Sequence, residues 1–376
     1  MSNIDFNTPV VTELEHRYVR EALLSAKHAG DGPFTKRCQR FFEDRYGFAK
    51  TLLTTSCTDA LELCALLLDI VPGDEIILPS FTFVSSANAF ALRGATLVFA
   101  DSEPDHPNIS IDAVAALITP KTKAIVVVHY AGVACDMDPL IALAEPRGIA
   151  IVEDAAQAVD SFSKGRPLGG IGTLGAFSFH ETKNVSSGEG GLFVTNNPRF
   201  IERAEIIREK GTNRSAFFRG EVNKYGWVEL GSSFLASDIT AAYLAGQLER
   251  INTIQDRRKT IWQSYNSRLA EVESYGVSLP NIPDHSTNNA HMFYLVCGDL
   301  EQRTGLLNDL RGHGIGATFH YLSLHSSPYF DALHDGRTLP NSDRYTDCLL
   351  RLPLHLGLSD DDVAFVAETV TKSLAA

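Results

Sequence analysis

Between Glu153 and Gly191 the chain brings together an acid, a hydroxyl, an amine and a glycine-rich turn. The segment opens with Glu153-Asp154-Ala155-Ala156-Gln157, continues through Phe177-Ser178-Phe179-His180-Glu181-Thr182-Lys183-Asn184, and closes on Ser187-Gly188-Glu189-Gly190-Gly191. The apolar run Ile149-Ala150-Ile151-Val152 leads straight into it. That places the Asp154 carboxylate at the carboxyl end of a buried strand, where open α/β sheets hold their ligands. Ser178 and Lys183 follow a second short apolar run. Pyridoxal phosphate (PLP) requires this set of groups: a Schiff-base lysine, an acid facing its pyridine nitrogen, and donors for its phosphate. Each residue taken singly has a plainer reading. A strand-end Asp caps helices, a loop lysine is solvated, and Gly-Glu-Gly-Gly makes turns.

Other stretches carry chemistry of the same kind. Ser56-Cys57-Thr58 follows a strand and opens a helix, so free amides and hydroxyls there suit a phosphate, or simply an N-cap. Phe81, Thr82 and Phe83 follow Pro79 at a strand end, where an aromatic ring lies flat on a cofactor or packs in the core. Gly170-x-Gly172-x-x-Gly175 matches the dinucleotide fingerprint only as letters. A turn precedes it and a strand follows, whereas that fingerprint needs a strand before and a helix after. No Walker loop is present, and His180-Glu181-Thr182-Lys183 lacks the second histidine of a zinc protease. His320-Tyr321 and His325 form a late polar cluster, or a loop with satisfied histidines.

The elements that position these groups read as follows. Residues 11–27 have apolar positions at helical spacing, Gly30-Asp31-Gly32-Pro33 breaks that helix, and a second starts near Thr35. From Lys50 strands and helices alternate, with strands at Leu52-Leu53, Glu75–Leu78, Ala95–Phe99 and Ala124–Val128. Such near-continuous β-branched and aliphatic runs predict an α/β fold with a mostly parallel sheet covered on both faces. Residues 238–270 read as one long helix connecting two domains, and strand-like 291–296 and helix-like 301–312 predict a smaller α+β domain. The expected division is 1–245 for the large domain and 246–376 for the small one.

At 376 residues the chain is long enough for two domains. Its net charge of −13 argues against nucleic-acid or anionic-membrane partners, though local clusters of Arg and Lys can still receive an anionic substrate. Six scattered cysteines without a Cys-x-x-Cys spacing predict reduced thiols and no zinc site. The amino terminus has no basic and apolar leader pattern, and no apolar run approaches the length of a membrane span, so a cytoplasmic location is expected.

Taken together, Asp154-Ala155-Ala156-Gln157, Ser178-Phe179-His180, Lys183-Asn184, Gly188-Glu189-Gly190-Gly191, Pro79-Ser80-Phe81-Thr82-Phe83, Val128-His129-Tyr130 and His320-Tyr321 resemble the DegT/DnrJ/EryC1/StrS family of PLP-dependent sugar aminotransferases. The likeness runs from about residue 5 to the end. It implies a fold type I aminotransferase acting as a homodimer, with active sites at the subunit boundary. By position, the resemblance makes Lys183 the catalytic lysine, Asp154 the partner of the pyridine nitrogen and Gln157 the contact of the ring hydroxyl. It assigns the cofactor phosphate to Ser178, Cys57 and Thr58, and ring stacking to Phe83. His320 and Tyr321 are expected near the sugar nucleotide, while Arg219, Lys224 and Arg214 read either as diphosphate contacts or as solvated surface charge.

Within the family, Arg208–Arg214 and Gly231–Asp238 look most like members that move an amino group from glutamate to C4 of TDP-4-keto-6-deoxyglucose. The implied product is the galacto amino sugar used in enterobacterial surface polysaccharide. Two positions depart from the commoner pattern. Ser233 stands where many relatives have an Asn that reaches the neighbouring subunit's PLP phosphate, and Leu235 where many have Arg. Leu235 points to a neutral 6-deoxy sugar. The alternatives are a C3- or UDP-linked keto sugar, a sugar dehydratase, which has no such lysine, and a non-enzymatic regulator, which the acidic charge opposes.

Overall fold

The computed structural model describes residues 3–375. Its strands are β1 (Lys50–Thr54), β2 (Glu75–Pro79), β3 (Thr96–Ala100), β4 (Thr122–Val128), β5 (Ala150–Asp154), β6 (Phe162–Ser163), β7 (Arg166–Pro167), β8 (Leu174–Ser178), β9 (Gly191–Thr195), β10 (Phe293–Val296), β11 (Thr318–Phe319) and β12 (Leu349–Leu352). Seven of them form one sheet in the order β1-β9-β8-β5-β4-β2-β3. β9 runs antiparallel to both its neighbours, and the pairs from β8 to β3 are parallel. All members except β9 therefore end at one edge, where β9 begins. Continuous apolar runs build this sheet because helices cover both faces, leaving no alternation for solvent to impose.

The helices that bear on the site begin with α1 (Glu13–Leu24), α2 (Pro33–Tyr46), α3 (Cys57–Leu67) and α4 (Ser85–Ala91). Thr12 and Glu15 form a capping box at the start of α1, and Pro33 sits in the first turn of α2 after the Gly32 cap. Both helices thus start and stop close to where their sequence signals lie. β10, β12 and β11 form a second, antiparallel sheet of three strands. Its core packs Phe293, Leu295, Leu350 and Leu352 against Ile261, Tyr265, Val366 and Val370, and also takes in Phe81, Tyr130 and Val133 from beyond β2 and β4. No helix among the described residues is long and apolar enough to cross a membrane.

The long connector expected over 238–270 is two helices, Asp238–Glu249 and Ile251–Arg268. The break is at Arg250, whose side chain donates to Thr12 Oγ1 (3.1 Å) and Glu15 Oε1 (2.9 Å) at the start of α1. The first helix is a core helix rather than an exposed connector. Ala241, Ala242, Leu244, Ala245 and Leu248 are buried in the core that holds Tyr18, Phe42 and Phe177. Ile254 in the second helix still belongs to that core, and Ile261 belongs to the C-terminal one.

Candidate active site

The shared edge of the sheet gathers the chemistry. Strand β1 delivers the start of α3, β2 delivers Phe81–Phe83, β4 delivers His129 and Tyr130, and β5 and β8 end on Asp154 and Ser178. Gly191 enters the same edge, opposite both Thr54 and Ser178. It lies so close to α3 that a Cβ there would collide with the Ser56 carbonyl oxygen and the Cys57 nitrogen. The glycine-rich turn thus lets the amino terminus of α3 settle on the sheet, with Gly188 in the left-handed region at φ 79°.

Asp154 is buried, and its two oxygens have separate partners. Oδ2 accepts from Ser86 Oγ on α4 at 2.6 Å, and Oδ1 accepts from the Ala156 amide at 3.1 Å. Burial raises the Asp154 carboxyl above its ordinary value, opposed by these hydrogen bonds and by the nearby charges of Lys183 and His129. Ser86 was not singled out in the sequence. It sits in the bland stretch Ser85-Ser86-Ala87-Asn88-Ala89, and the packing of α4, chiefly against α3, aims it at Asp154.

Lys183 lies in the turns between β8 and β9, its amide donating to the His180 carbonyl at 2.9 Å. Its Nζ makes no hydrogen bond or ion pair among the described residues and enters a cavity lined also by Phe6, Asn7, His291, His320 and Arg351. Burial holds the Lys183 amine below the usual lysine value, against the opposing influence of Cys57 and Asp154. Its neighbours carry little negative charge. Burial pushes the Cys57 thiol well up and the His291 and His320 imidazoles well down, so all three stay neutral.

Gln157 is held at both ends, accepting from the Ala131 amide at 2.6 Å and donating to the Tyr321 hydroxyl at 3.1 Å. One N–H of its amide remains to donate. His320 shares a 3.1 Å hydrogen bond with the Tyr130 hydroxyl. Phe83 is 56 % exposed, its ring 6.1 Å from that of Tyr321, while Phe81 is buried against Tyr130, Tyr321 and Tyr345. At α3, Ser56 Oγ accepts from the Asp59 amide at 3.0 Å and is the N-cap. Cys57 and Thr58 then follow with amides that helix geometry leaves without acceptors. Thr58 Oγ1 lies 2.7 Å from Ser85 Oγ, and Ser178 Oγ accepts from the His180 amide at 3.3 Å. His325 is elsewhere, bonded to Ser80 Oγ at 2.8 Å behind β2.

Ser233 and Arg219 do not line the Lys183 cavity. They line a separate space of 780 Å³, shared with Lys210, Arg214 and Leu235. Arg219 is engaged there by Glu205 (2.8 Å) and Glu221 (2.7 Å). Arg351 in the Lys183 cavity is a second residue that sequence reasoning missed. A lone cation inside Leu349-Leu350-Arg351-Leu352 was the available signal.

Comparison with known proteins places this geometry. A model of the DegT/DnrJ/EryC1/StrS aminotransferase family matches residues 9–371. The chain is 32% identical over 376 residues to the spore coat polysaccharide biosynthesis protein SpsC of Bacillus subtilis strain 168, covering 98% of this chain and 96% of that protein. Among solved structures, it is similar to the PLP form of the putative sugar aminotransferase Spr1654 from Streptococcus pneumoniae. There the TM-score is 0.92 at 29% identity, over 100% of this chain and 99% of that one. The aminotransferase TlmJ from Streptoalloteichus hindustanus gives a TM-score of 0.91 at 33% identity, over 100% and 99% of the two chains.

Proposed function

We propose, from the premise that this chain belongs to the DegT/DnrJ/EryC1/StrS aminotransferase family, that it moves an amino group from glutamate to C4 of TDP-4-keto-6-deoxy-D-glucose. The products of this reaction are TDP-4-amino-4,6-dideoxy-D-galactose and 2-oxoglutarate. The observation that carries the reading is the placement at one edge of the sheet of Lys183, an amine that burial holds below its ordinary value, and of Asp154, a buried carboxyl that accepts from Ser86.

The donor set fits PLP. Asp154 offers a buried anion that a protonated ring nitrogen would neutralise. Lys183 would hold the group covalently through Nζ, and the free amides at the start of α3, with Thr58 and Ser178, would take the phosphate. Gln157 has an N–H left for the ring hydroxyl, and Phe83 is the aromatic at hand for the ring face. When bound, PLP supplies an electron sink that makes the proton on the carbon next to nitrogen removable. Lys183 would move that proton between the two carbons that flank the nitrogen, and an amine whose value burial lowers suits that role. His320 in the cavity wall, with Tyr130 hydrogen-bonded to it and Tyr321 hydrogen-bonded to Gln157, offers neutral groups that would orient hydroxyls without adding charge.

The choice of sugar rests on fewer residues. Leu235 gives the 780 Å³ cavity an apolar side chain, which suits a methyl at C6 rather than a carboxylate. Lys210, Arg214 and Arg219 are the cations nearest to hand for a diphosphate. The proposal also takes the enzyme to be a homodimer, in which Ser233 and Arg219 of one subunit serve the site of the other. Phe218, Tyr225, Trp227 and Leu230 form an exposed apolar stretch beside that cavity, Trp227 at 80 % exposure, which a partner would cover. Domains 1–245 and 246–376 are proposed with it, although the change of core comes later, between Ile254 and Ile261. The test is to incubate the protein with PLP, glutamate and TDP-4-keto-6-deoxyglucose and to identify the product by mass and NMR. A 4-amino galacto sugar is expected. A gluco product, or faster turnover of a uronic-acid sugar nucleotide, would contradict the assignment.

A further inference from the structure

His291 lies two residues before β10 and lines the cavity that Lys183 enters, held there by a buried network of amides. Backbone carbonyls, which only accept, set every direction in that network. Asn184, the residue after Lys183, donates through Nδ2 to the Asn289 carbonyl and to Gln255 Oε1, each at 2.8 Å. Gln255 donates in turn to the Val159 carbonyl at 3.3 Å. Asn184 therefore turns Oδ1 toward His291, 2.8 Å from Nδ1. An amide oxygen accepts, so Nδ1 carries the ring proton. Asn289 holds the same residue by its backbone. Its Nδ2 donates to the carbonyls of Gln157 and Val159, at 2.8 and 2.9 Å, and its Oδ1 accepts from the His291 amide at 3.0 Å. Arg258 donates to the carbonyls of Ala290 and His291, at 3.1 and 2.7 Å.

The consequence falls on the other ring nitrogen. With Nδ1 protonated, a neutral imidazole keeps a lone pair at Nε2. Nothing favours a second proton, because Nδ1 faces an amide and the charged side chains around His291 are Lys183, Arg258 and Arg351. Nε2 has no hydrogen-bond partner among the described residues and is not sealed off, so it opens onto the cavity of about 50 Å³ that His291 and Lys183 both line. A space of that size holds one or two waters.

We propose that His291 Nε2 accepts a hydrogen bond from the Lys183 amine whenever that amine is free of the cofactor, directly or across one water. The inference rests on Lys183 being the reacting amine, as proposed above, and names the residue that positions it. A base that carries a proton between two carbons passes through its ammonium form, which burial disfavours. The other groups around Nζ answer that need poorly. Cys57 on α3 is a neutral thiol, and Arg351 on β12 has only donors. Asp154 on β5 is already bonded to Ser86 and the Ala156 amide, and His320 shares Nδ1 with the Tyr130 hydroxyl. Asn184 gives the arrangement its coherence, since it fixes the His291 ring and adjoins Lys183 in the chain.

The experiment measures the reactivity of Lys183 toward trace acetic anhydride across pH in the full chain freed of PLP, with the modified site identified by mass spectrometry. The proteins compared are the unaltered one, His291→Phe, His291→Gln and Asn184→Ala. In His291→Phe the midpoint of the Lys183 profile is expected to fall by about one pH unit or more, the size of one hydrogen bond to a charged group. His291→Gln, whose Oε1 can accept, should recover part of that shift. Asn184→Ala leaves the ring proton free to sit on either nitrogen and should give a smaller fall. In the PLP-loaded proteins, the half-reactions with glutamate and with the amino sugar nucleotide should both slow about 10-fold in His291→Phe, because Lys183 serves both. An unchanged midpoint would overturn the inference. A loss confined to one substrate would also overturn it, by making His291 a contact of that substrate. PLP should shield Lys183 in the unaltered protein; if it does not, the assignment of Lys183 fails and this inference with it. If His291→Phe does not fold, nitrogen-15 spectra of the histidine rings decide the matter on the unaltered protein. The proton should sit on Nδ1 and the Nε2 signal should titrate with the midpoint of Lys183, whereas a proton on Nε2 would contradict the proposal.

Discussion

Ser86 donates its hydroxyl hydrogen to Asp154 across 2.6 Å, from a helix that follows β2 to an acid that ends β5. Burial works toward a protonated Asp154, and Ser86 is the side chain that opposes it most. Removing that donor raises the carboxyl further, so more of it is neutral at a given pH. Ser86→Ala is therefore expected to lower turnover about 10-fold at neutral pH, in line with one hydrogen bond to a charged group. Activity should recover as pH rises and the carboxyl ionises again. A pH–rate profile matching that of the unaltered enzyme would contradict this role.

Gly191 and the amino terminus of α3 approach too closely for any side chain between them. Gly191→Ala has to push the helix start away from the sheet, moving the amides of Cys57 and Thr58. A stability loss of about 1–3 kcal/mol is expected from such overpacking. The affinity for PLP should fall with it, because the phosphate donors move as a unit. Titration of the apoprotein with PLP, beside a melting curve, checks both. Unchanged values in the two measurements would show that the glycine is only a turn residue.

Glu153, one residue before Asp154, has a purely architectural task. Its buried carboxylate accepts from the amides of Gly169 and Ile171, at 2.7 and 2.6 Å, and from that of Gly172, and it pairs with His129 Nε2 at 2.9 Å. It therefore fixes the loop that leads into β8, and with it the placement of Ser178. Glu153→Ala should cost about 3 kcal/mol, since several buried donors lose their acceptor at once. The melting temperature should drop by about 5 °C or more. A melting point within a degree of the unaltered protein would contradict the account.

The sheet and its catalytic edge were legible because their signals are local. Ile149–Val152 and Ala124–Val128 are apolar without alternation, and each ends on a polar residue that the parallel topology then brings to one edge. The Gly170–Gly175 stretch was likewise readable as something other than a nucleotide loop, and it leads into β8. The break at Arg250 was not legible, since neither Gly nor Pro marks it. What accompanies it is a contact of the Arg250 side chain with Thr12 and Glu15, more than two hundred residues away. The neighbours of Ser86 and Arg351 were hidden for a similar reason, although a lone cation among leucines marks Arg351 as unusual. Their importance comes from what faces them, and nothing in Ser85-Ser86-Ala87 or Leu350-Arg351-Leu352 names Asp154 or Lys183 as a neighbour. His325 shows the converse: it lies four residues after Tyr321, yet is bonded to Ser80 and outside the cavity.

The central claim is that one enclosed amine, Lys183, both holds the cofactor and moves the proton. Its most direct test is Lys183→Ala, loaded with PLP and supplied with glutamate and TDP-4-keto-6-deoxyglucose. The account predicts that the visible absorption of the lysine-linked cofactor disappears and that turnover falls at least about 1,000-fold, as expected when the acid–base group is lost. Repeated turnover at an unaltered rate would contradict it and would require another residue to carry the proton.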